Sequence, residues 1–149
     1  MVKERFIFTV GYEGAPLVSF LGMLEGDGVA VLLDVRRDAF SRRPEFRKRA
    51  FEEALAAAGV AYRHEPRLGV PKEVREHFRG EVEPEGFAAW YAACVLEKNP
   101  ALVEELAVLA TSTPTALFCY EADPARCHRS LLARELARRT GLSVRHLTP

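Results

Sequence analysis

The sequence predicts a single α/β domain over residues 1–149, with a mainly parallel five-stranded sheet and helices on both faces. Short apolar runs alternate with segments of helical periodicity, and this alternation is typical of parallel sheets. The apolar runs are unbroken, which indicates strands that are covered on both faces. A chain of this length suits one domain and buries roughly 70% of its unfolded surface, so it needs no disulfide or metal to fold.

The individual elements follow from hydrophobic pattern and from residues that start or stop them. The predicted strands cover residues 5–10, 29–33, 60–64, 115–119 and 142–147. The predicted helices cover residues 15–25, 44–58, 87–95, 100–111 and 124–139, and a short helix near 71–78 interrupts a long loop over 65–85. Pro44 and Pro124 are good first-turn residues, and Gly59 and Gly141 are good stops.

Composition restricts the class of protein and its compartment. The chain has 21 basic and 21 acidic residues, which argues against a basic surface for general nucleic-acid binding. Seventeen of the basic residues are Arg, which suits both bidentate anion binding and ion-pair networks. Three cysteines do not make a disulfide framework, and neither a signal peptide nor an apolar run of roughly 20 residues occurs. We therefore expect a cytoplasmic protein with no membrane partner.

Polar residues follow the predicted strands at the points where those strands end. In open sheets of this class, ligands bind beyond the carboxyl ends of the strands. The residues at these positions are Gly11-Tyr12-Glu13, Asp34-Val35-Arg36-Arg37, His64-Glu65 and Cys119-Tyr120-Glu121. The sequence therefore predicts a polar site at this edge of the sheet.

The segment with the most candidate functional residues runs from Cys119, at the end of a strand, into the last helix. Asp123 is a good N-cap, and Arg126 and Arg129 fall in the first turns, where unpaired backbone N–H groups attract anions. This positive environment predicts an anion-binding site and a lowered pKa for the Cys119 thiol. The alternative is that Cys119 is a small buried apolar residue, as free cysteines often are.

Cys119, Cys127 and His128 also raise the question of a metal. Their spacing contains no Cys-x-x-Cys pair, and no fourth ligand is evident, so we expect no metal. His128 can instead act as a general acid or base, because the pKa of histidine lies near neutrality. The alternative is a hydrogen-bonding residue at a helix terminus.

Residues 36–49 form a strongly basic stretch that predicts an alternative, nucleic-acid-associated function. Its seven basic residues stand against two acids, and such clusters bind nucleic-acid phosphates. Phe40 is placed to stack on a base, whereas Phe46 fits the apolar face of a helix better. One competing interpretation is that the stretch is a solvent-exposed start of a helix whose charges form ion pairs. Another is that Asp34 and Arg36 pair and orient each other.

The turn Gly11-Tyr12-Glu13-Gly14 joins the first strand to the first helix. Its two glycines permit a tight turn, but the spacing is neither a dinucleotide fingerprint nor a Walker loop, so it predicts no nucleotide site. Tyr12 is placed either to cover the site or to cap the core.

Five motifs in this order resemble the DUF488 family. They are TVGYEG at 9–14, LLDVRR at 32–37, SRRPEF at 41–46, AYRHEPRLG at 61–69 and FCYEADPARCHRSLLA at 118–133. The resemblance implies an α/β fold but no established reaction. The positions that carry the family pattern are Gly11, Tyr12, Asp34, Arg36, Ser41, Pro44, Phe46, Leu68, Gly69, Cys119, Glu121, Cys127, His128, Arg129 and Ser130.

The layout is also similar, at the level of the fold alone, to rhodaneses and cysteine phosphatases, which place a cysteine at a strand end. A cysteine phosphatase has Cys-x5-Arg, whereas Ala125 stands six residues after Cys119 and Arg126 follows it. Glu121 and Asp123 in the same loop would repel a phosphate dianion, which weighs against phosphatase chemistry.

Three functional hypotheses remain open on the sequence: a cysteine enzyme, a nucleic-acid-associated protein that uses residues 36–49, and a domain that binds a small anion without chemistry. For the first, Cys119 is the predicted nucleophile or thiol carrier, and His128 and Glu121 move protons. The predicted anion-binding residues are Arg36, Arg126, Arg129 and Ser130. The predicted pocket residues are Tyr12, Asp34, Arg43 and Cys127, with no cofactor.

Overall fold

A computed structural model of the chain describes residues 5–78 and 86–149. Its sheet contains five strands in the order β3-β2-β4-β1-β5, and every pairing is parallel. The strands are β1 Phe6–Gly11, β2 Val31–Asp34, β3 Ala61–His64, β4 Thr115–Cys119 and β5 Ser143–Leu147. The predicted fold class and all five strands are confirmed.

The helices also lie close to their predicted positions. They are α1 Leu17–Gly26, α2 Lys48–Ala57, α3 Lys72–Phe78, α4 Phe87–Tyr91, α5 Pro100–Ser112 and α6 Arg129–Thr140, and α4 continues as a π-helical turn over Ala92–Leu96. The short helix predicted near 71–78 is present as α3, and residues 79–85 of the predicted loop lie outside the described residues. None of the helices in the described part of the chain is both long and apolar enough to cross a bilayer.

Two predicted helices begin later than the sequence indicated. Each predicted start is a separate 3-10 turn, Pro44–Phe46 or Pro124–Arg126, and an extended residue, Arg47 or Cys127, follows it. Proline at the first position suits a 3-10 turn as well as an α-helix, because the first residue of either needs no N–H donor. Asp123 accordingly caps the turn at Ala125 rather than α6, and Arg126 is not part of the α6 helix.

Alternating side chains of the central strands divide the core into two layers. Phe8, Val10, Leu32, Ala116 and Phe118 pack with α1 and α2 on one face, whereas Ile7, Leu33, Leu117 and Cys119 pack with α4, α5 and α6 on the other. This division follows from the period of two along a strand. Because Gly11 pairs with Cys119 and Asp34 with Phe118, the carboxyl ends of β1, β2 and β4 meet at one edge.

Gly11 holds a position that no larger residue fits. A Cβ atom built there would lie 1.8 Å from the backbone oxygen of Glu121, so the loop after β4 folds directly over the end of β1. Gly69 is similar, because its Cβ would lie 2.4 Å from the backbone nitrogen of Arg37. The tight turn after β1 instead uses Gly14, at φ 72°. Two of the motif glycines therefore allow backbone segments to approach each other.

We expect Gly11→Ala to lower the free energy of unfolding by about 1–3 kcal/mol, because the new methyl group must displace the backbone that carries Glu121. Gly22→Ala is the matched control, since this exposed α1 position has nothing within 4 Å of where the added methyl carbon would lie. Alanine there should raise the free energy of unfolding by about 0.5–1 kcal/mol. Urea unfolding measures both, and equal effects would contradict the close approach at Gly11.

Candidate functional site

A cavity of about 670 Å³ opens at the edge where β1, β2 and β4 end. It has six cationic side chains, two acidic side chains and one thiol in its wall. Its lining comprises Tyr12, Arg36, Arg37, Asp38, Phe40, Ser41, Arg42, Arg43, Val70, Lys72, Arg75, Cys119, Tyr120, Glu121 and His128. The strand-end rule therefore leads to a strongly basic cavity with Cys119 in its wall.

Asp34 and Arg36 form a buried ion pair at the end of β2. The Arg36 guanidinium donates to both carboxylate oxygens of Asp34, at 2.7 Å for Nη2 to Oδ2 and 2.9 Å for Nε to Oδ1. The Tyr62 hydroxyl donates to Oδ2 at 2.6 Å, and Arg36 Nη1 donates to the carbonyl of Phe46 at 2.9 Å. The pairing that the sequence left as an alternative is present, and it links β2, β3 and the 3-10 turn before α2.

The pair perturbs both partners of the Asp34 carboxylate. Burial alone lowers the pKa of Arg36, but its hydrogen bonds and attraction to Asp34 raise that pKa overall. Burial and the adjacent Asp34 charge raise the pKa of the Tyr62 phenol. The Arg36 guanidinium also lies over the Phe118 ring, 4.9 Å from its centroid. Arg36 is therefore a fixed part of the cavity wall, charged at all accessible pH values.

Tyr12 and Arg43 also line the cavity, and the Arg36 guanidinium lies 5.5 Å from the centroid of the Tyr12 ring. The buried Tyr12 ring stacks on Phe46 and Phe118, with centroid distances of 4.4 and 5.2 Å. Arg43 donates to the carbonyls of Tyr12 and Ala15 and lies over the Phe46 ring. Tyr12 therefore packs in the core and also lines the cavity.

Cys119, Cys127 and His128 lie together beside the cavity, and Cys119 and His128 line it. Their two sulfur atoms and an imidazole nitrogen all lie within 4.8 Å of one another, and all three residues are buried. The distance from Cys119 Sγ to His128 Nδ1 is 4.0 Å. His128 Nε2 lies 2.9 Å from the carbonyl of Val35. Because a carbonyl only accepts, Nε2 carries a proton and Nδ1 faces the thiols.

The pKa values of the two thiols are shifted in opposite directions. Burial alone raises the pKa of Cys127, but a hydrogen bond from Cys119 and the charges of His128 and Arg129 lower it well below its ordinary value. The hydrogen bond to Cys127, together with burial, raises the pKa of Cys119. The pKa of Cys119 is therefore raised and not lowered as expected, and the lowered pKa is that of Cys127, beside His128 and Arg129.

The neighbouring ionisable groups respond to the same cluster. Burial, helped by the Cys127 charge, raises the pKa of Glu121 to about 7. Burial alone lowers the pKa of His128, but the charge and hydrogen bond of Cys127 raise that pKa overall. Glu121 Oε2 is buried and has no hydrogen-bond partner among the described residues. Glu121 thus exchanges a proton near neutrality beside a cavity that His128 also lines.

The other predicted anion-binding residues lie away from the cavity lining. Arg126 is exposed on the 3-10 turn. Arg129 is fully buried and donates to the backbone carbonyls of Glu121 and Ala122, at 2.6 and 3.4 Å. Ser130 donates to the carbonyl of Cys127 at 2.9 Å. Of the four predicted residues, the structure brings only Arg36 to the cavity wall, and Arg129 and Ser130 contact the backbone around the cysteines.

Sequence reasoning missed the cations that α3 contributes. Lys72 and Arg75 are three residues apart on α3, and both line the cavity. Arg37, Arg42 and Arg75 have no ion-pair or hydrogen-bond partner for their side chains within residues 5–78 and 86–149. The sequence signal was the charge-rich loop at 65–85, but nothing in it indicated which side of α3 faces the strand ends.

Fold and cavity together define the class: an α/β domain with a parallel sheet and a basic, cysteine-containing cavity at its strand ends. The family model described as "Domain of unknown function DUF488" matches residues 16–136, and the chain belongs to this family. The motif glycine Gly11 and Tyr12 lie just before the matched range. Searches of curated proteins and of solved structures each found no match.

We expect Asp34→Asn to lower the free energy of unfolding by about 3–5 kcal/mol, because it leaves the buried Arg36 charge without a carboxylate. Glu53→Gln is the control, since it breaks the exposed Arg49–Glu53 pair and should change stability by about 0.5 kcal/mol or less. Urea unfolding at pH 7 compares the two. A loss at Asp34 no larger than the control would mean that the pair does not hold the cavity wall.

We expect Cys127→Ser to speed the alkylation of Cys119 at neutral pH. The substitution removes the neighbouring thiolate that raises the pKa of Cys119, and the nucleophile is the thiolate. Both proteins also carry Cys94→Ser, and the buffer contains a chelator. The rate of alkylation by iodoacetamide is measured by mass spectrometry over a pH series. The pH midpoint of the Cys119 rate should move down in the variant, and an unchanged midpoint would contradict the coupling of the two thiols.

Proposed function

We propose that the cavity binds a small ligand that carries phosphate groups. The observation that carries the proposal is the set of three cavity cations, Arg37, Arg42 and Arg75, that lack a side-chain partner among the described residues. Unpaired guanidinium groups that surround one cavity suit the several oxygens of a phosphate group. The volume of about 670 Å³ lies within the range of ordinary small-molecule sites.

The contacts that the basic residues of 36–49 make favour a small ligand over nucleic acid. Arg36, Arg43 and Arg47 each donate to a backbone carbonyl, so they are not available as a row of phosphate contacts. Arg36 and Arg43 also line the cavity. Arg49 is exposed on α2 and pairs with Glu53. Of the remaining cations of the stretch, Arg37 and Arg42 line the cavity, whereas Lys48 is exposed at the start of α2 and does not line it.

The electrostatics of the thiols argue against Cys119 as a nucleophile. Cys119 lines the cavity, but its hydrogen bond to Cys127 and its burial raise the pKa of its thiol. Cys127, whose pKa is lowered, is buried and does not line the cavity. Glu121, with a pKa of about 7, is the group best suited to exchange a proton with a bound ligand. Binding of the anion is therefore the function that we assign, with Glu121 as the candidate acid or base.

We expect pyrophosphate to stabilise the protein against heat. At a concentration 100 times its Kd, a ligand of the folded state adds about 2.7 kcal/mol, which raises Tm by roughly 5–10 °C for a chain of this size. Isothermal titration calorimetry gives the Kd, and a salt series should weaken it. Both effects should persist in Cys119→Ala, since the thiol is not needed for anion binding.

Variants of the free arginines test the site itself. Arg42→Ala and Arg75→Ala should each raise the Kd roughly tenfold or more, because a charge-assisted hydrogen bond contributes about 1.5–3 kcal/mol. Arg49→Ala is the matched control and should leave the Kd unchanged. A single-stranded oligonucleotide that binds more tightly than pyrophosphate, and loses affinity equally in all three variants, would instead support the nucleic-acid function.

A further inference from the structure

We propose that Cys119, Cys127 and His128 form a binding site for a thiophilic divalent cation such as Zn²⁺. Their two sulfur atoms and one ring nitrogen lie within 4.8 Å of one another. In tetrahedral zinc sites the ligands stand about 2.0–2.3 Å from the metal, so small side-chain rotations bring three groups at this spacing onto one ion. Thiolate and imidazole are also the ligands that this kind of cation prefers.

The orientation of His128 supports the proposal independently of the distances. Its Nε2–H donates to the carbonyl of Val35 at 2.9 Å, which directs Nδ1 toward the sulfur atoms. Histidines that bind metals almost always donate their other ring N–H to a carbonyl or carboxylate, which fixes the tautomer and the ring. Val35 is itself held by its own N–H, which donates to the Phe118 carbonyl of β4 at 3.0 Å.

The two cysteines are fixed by different parts of the fold. Cys119 ends β4, in register with Gly11 of β1. Cys127 is the extended residue between the 3-10 turn and α6, and its carbonyl accepts a hydrogen bond from Ser130 at 2.9 Å. Because both backbones are held, the three ligands are already assembled before a cation binds.

The cavity leaves room for a fourth ligand. Cys119 and His128 line the cavity and Cys127 does not, so a cation bound by all three would lie at the cavity floor with its free position toward the opening. Glu121 also lines the cavity, and its buried Oε2 has no hydrogen-bond partner in the described part of the chain. Three protein ligands and one open position are typical of zinc sites that bind a further molecule.

This proposal departs from the sequence-based expectation of no metal. That expectation depended on the missing Cys-x-x-Cys pair and on the lack of a fourth ligand. The fold supplies Cys119 from a different element than Cys127 and His128, and the cavity supplies the fourth position. The cation site does not depend on the proposed anion binding, since its three ligands are separate from Arg37, Arg42 and Arg75.

The test is a Co²⁺ titration of the full chain, reduced and then freed of metal with a chelator that is removed before the titration. We expect saturation at one equivalent, with the thiolate-to-cobalt charge-transfer absorption of a sulfur-bound ion, and loss of this absorption on addition of Zn²⁺. Cys127→Ser and His128→Ala should each weaken Co²⁺ binding by roughly 10–100-fold or more. Cys94→Ser is the matched control and should bind like the wild type, because Cys94 is exposed and lies outside the cluster.

X-ray absorption at the zinc edge of the loaded wild-type chain keeps the test decisive if a variant fails to fold. Two sulfur neighbours and at least one nitrogen neighbour support the site, whereas a shell of oxygen and nitrogen alone overturns it. Failure of the reduced chain to bind Co²⁺, or equal loss in the Cys94 and Cys127 variants, also overturns it. Recovery of Cys119 and Cys127 as a disulfide under reducing conditions would do the same.

Pyrophosphate binding separates this proposal from the proposed function. Cys127→Ser should weaken Co²⁺ binding and leave pyrophosphate binding to the chelated protein unchanged. Arg42→Ala and Arg75→Ala should weaken pyrophosphate binding and leave the cobalt absorption unchanged. The reverse pattern in the first variant, with cobalt retained and pyrophosphate lost, would overturn the assignment of Cys127 as a ligand.

Discussion

The buried pair of Asp34 and Arg36 is the interaction on which the rest of the site depends. A single carboxylate accepts hydrogen bonds from a guanidinium and from Tyr62, and the same guanidinium reaches the carbonyl of Phe46. Two neighbouring strands and the segment before α2 are therefore joined by one charged contact within an aromatic core. Removing either partner would leave the other as a buried charge without a counterion. The hydrogen bonds around the pair therefore depend on both residues being present. The cavity wall takes its position from this contact.

A second constraint brings the cysteine loop against the end of β1. Gly11 leaves room for the backbone of Glu121, and the Glu13 side chain accepts a hydrogen bond from the Ala122 N–H at 3.1 Å. The Glu13 N–H in turn donates to the carbonyl of Tyr120 at 2.9 Å. Two hydrogen bonds thus join the loops after β1 and β4, and this contact places Glu121 near the two thiols. Burial, together with the charge of Cys127, raises the pKa of Glu121.

The fold was largely predictable because unbroken apolar runs of four to six residues identify buried parallel strands, as for Val31–Asp34 and Thr115–Cys119. The starts of α2 and α6 were not, since Pro44 and Pro124 are compatible with either kind of helical turn. At the site, the strand-end rule correctly selected Arg36 and Cys119 as neighbours of one cavity. The rule covers only residues that follow strands, so it missed Arg75 on α3. The lowered pKa that we expected at Cys119, from the positive start of the last helix, falls at Cys127 because that residue adjoins His128 and Arg129.

The strand order has a consequence for how the chain folds during synthesis. Both sheet neighbours of β1, namely β4 and β5, come from the last third of the sequence, and Phe8 pairs with Ala116. The apolar first strand therefore waits without a hydrogen-bonding neighbour while the ribosome makes about a hundred further residues, and pairing over such separations is slow. Because the cysteine loop is built on this late pairing, the cavity forms only when nearly the entire domain has emerged. A nascent chain stalled before β4 would thus expose an aggregation-prone strand and no ligand site.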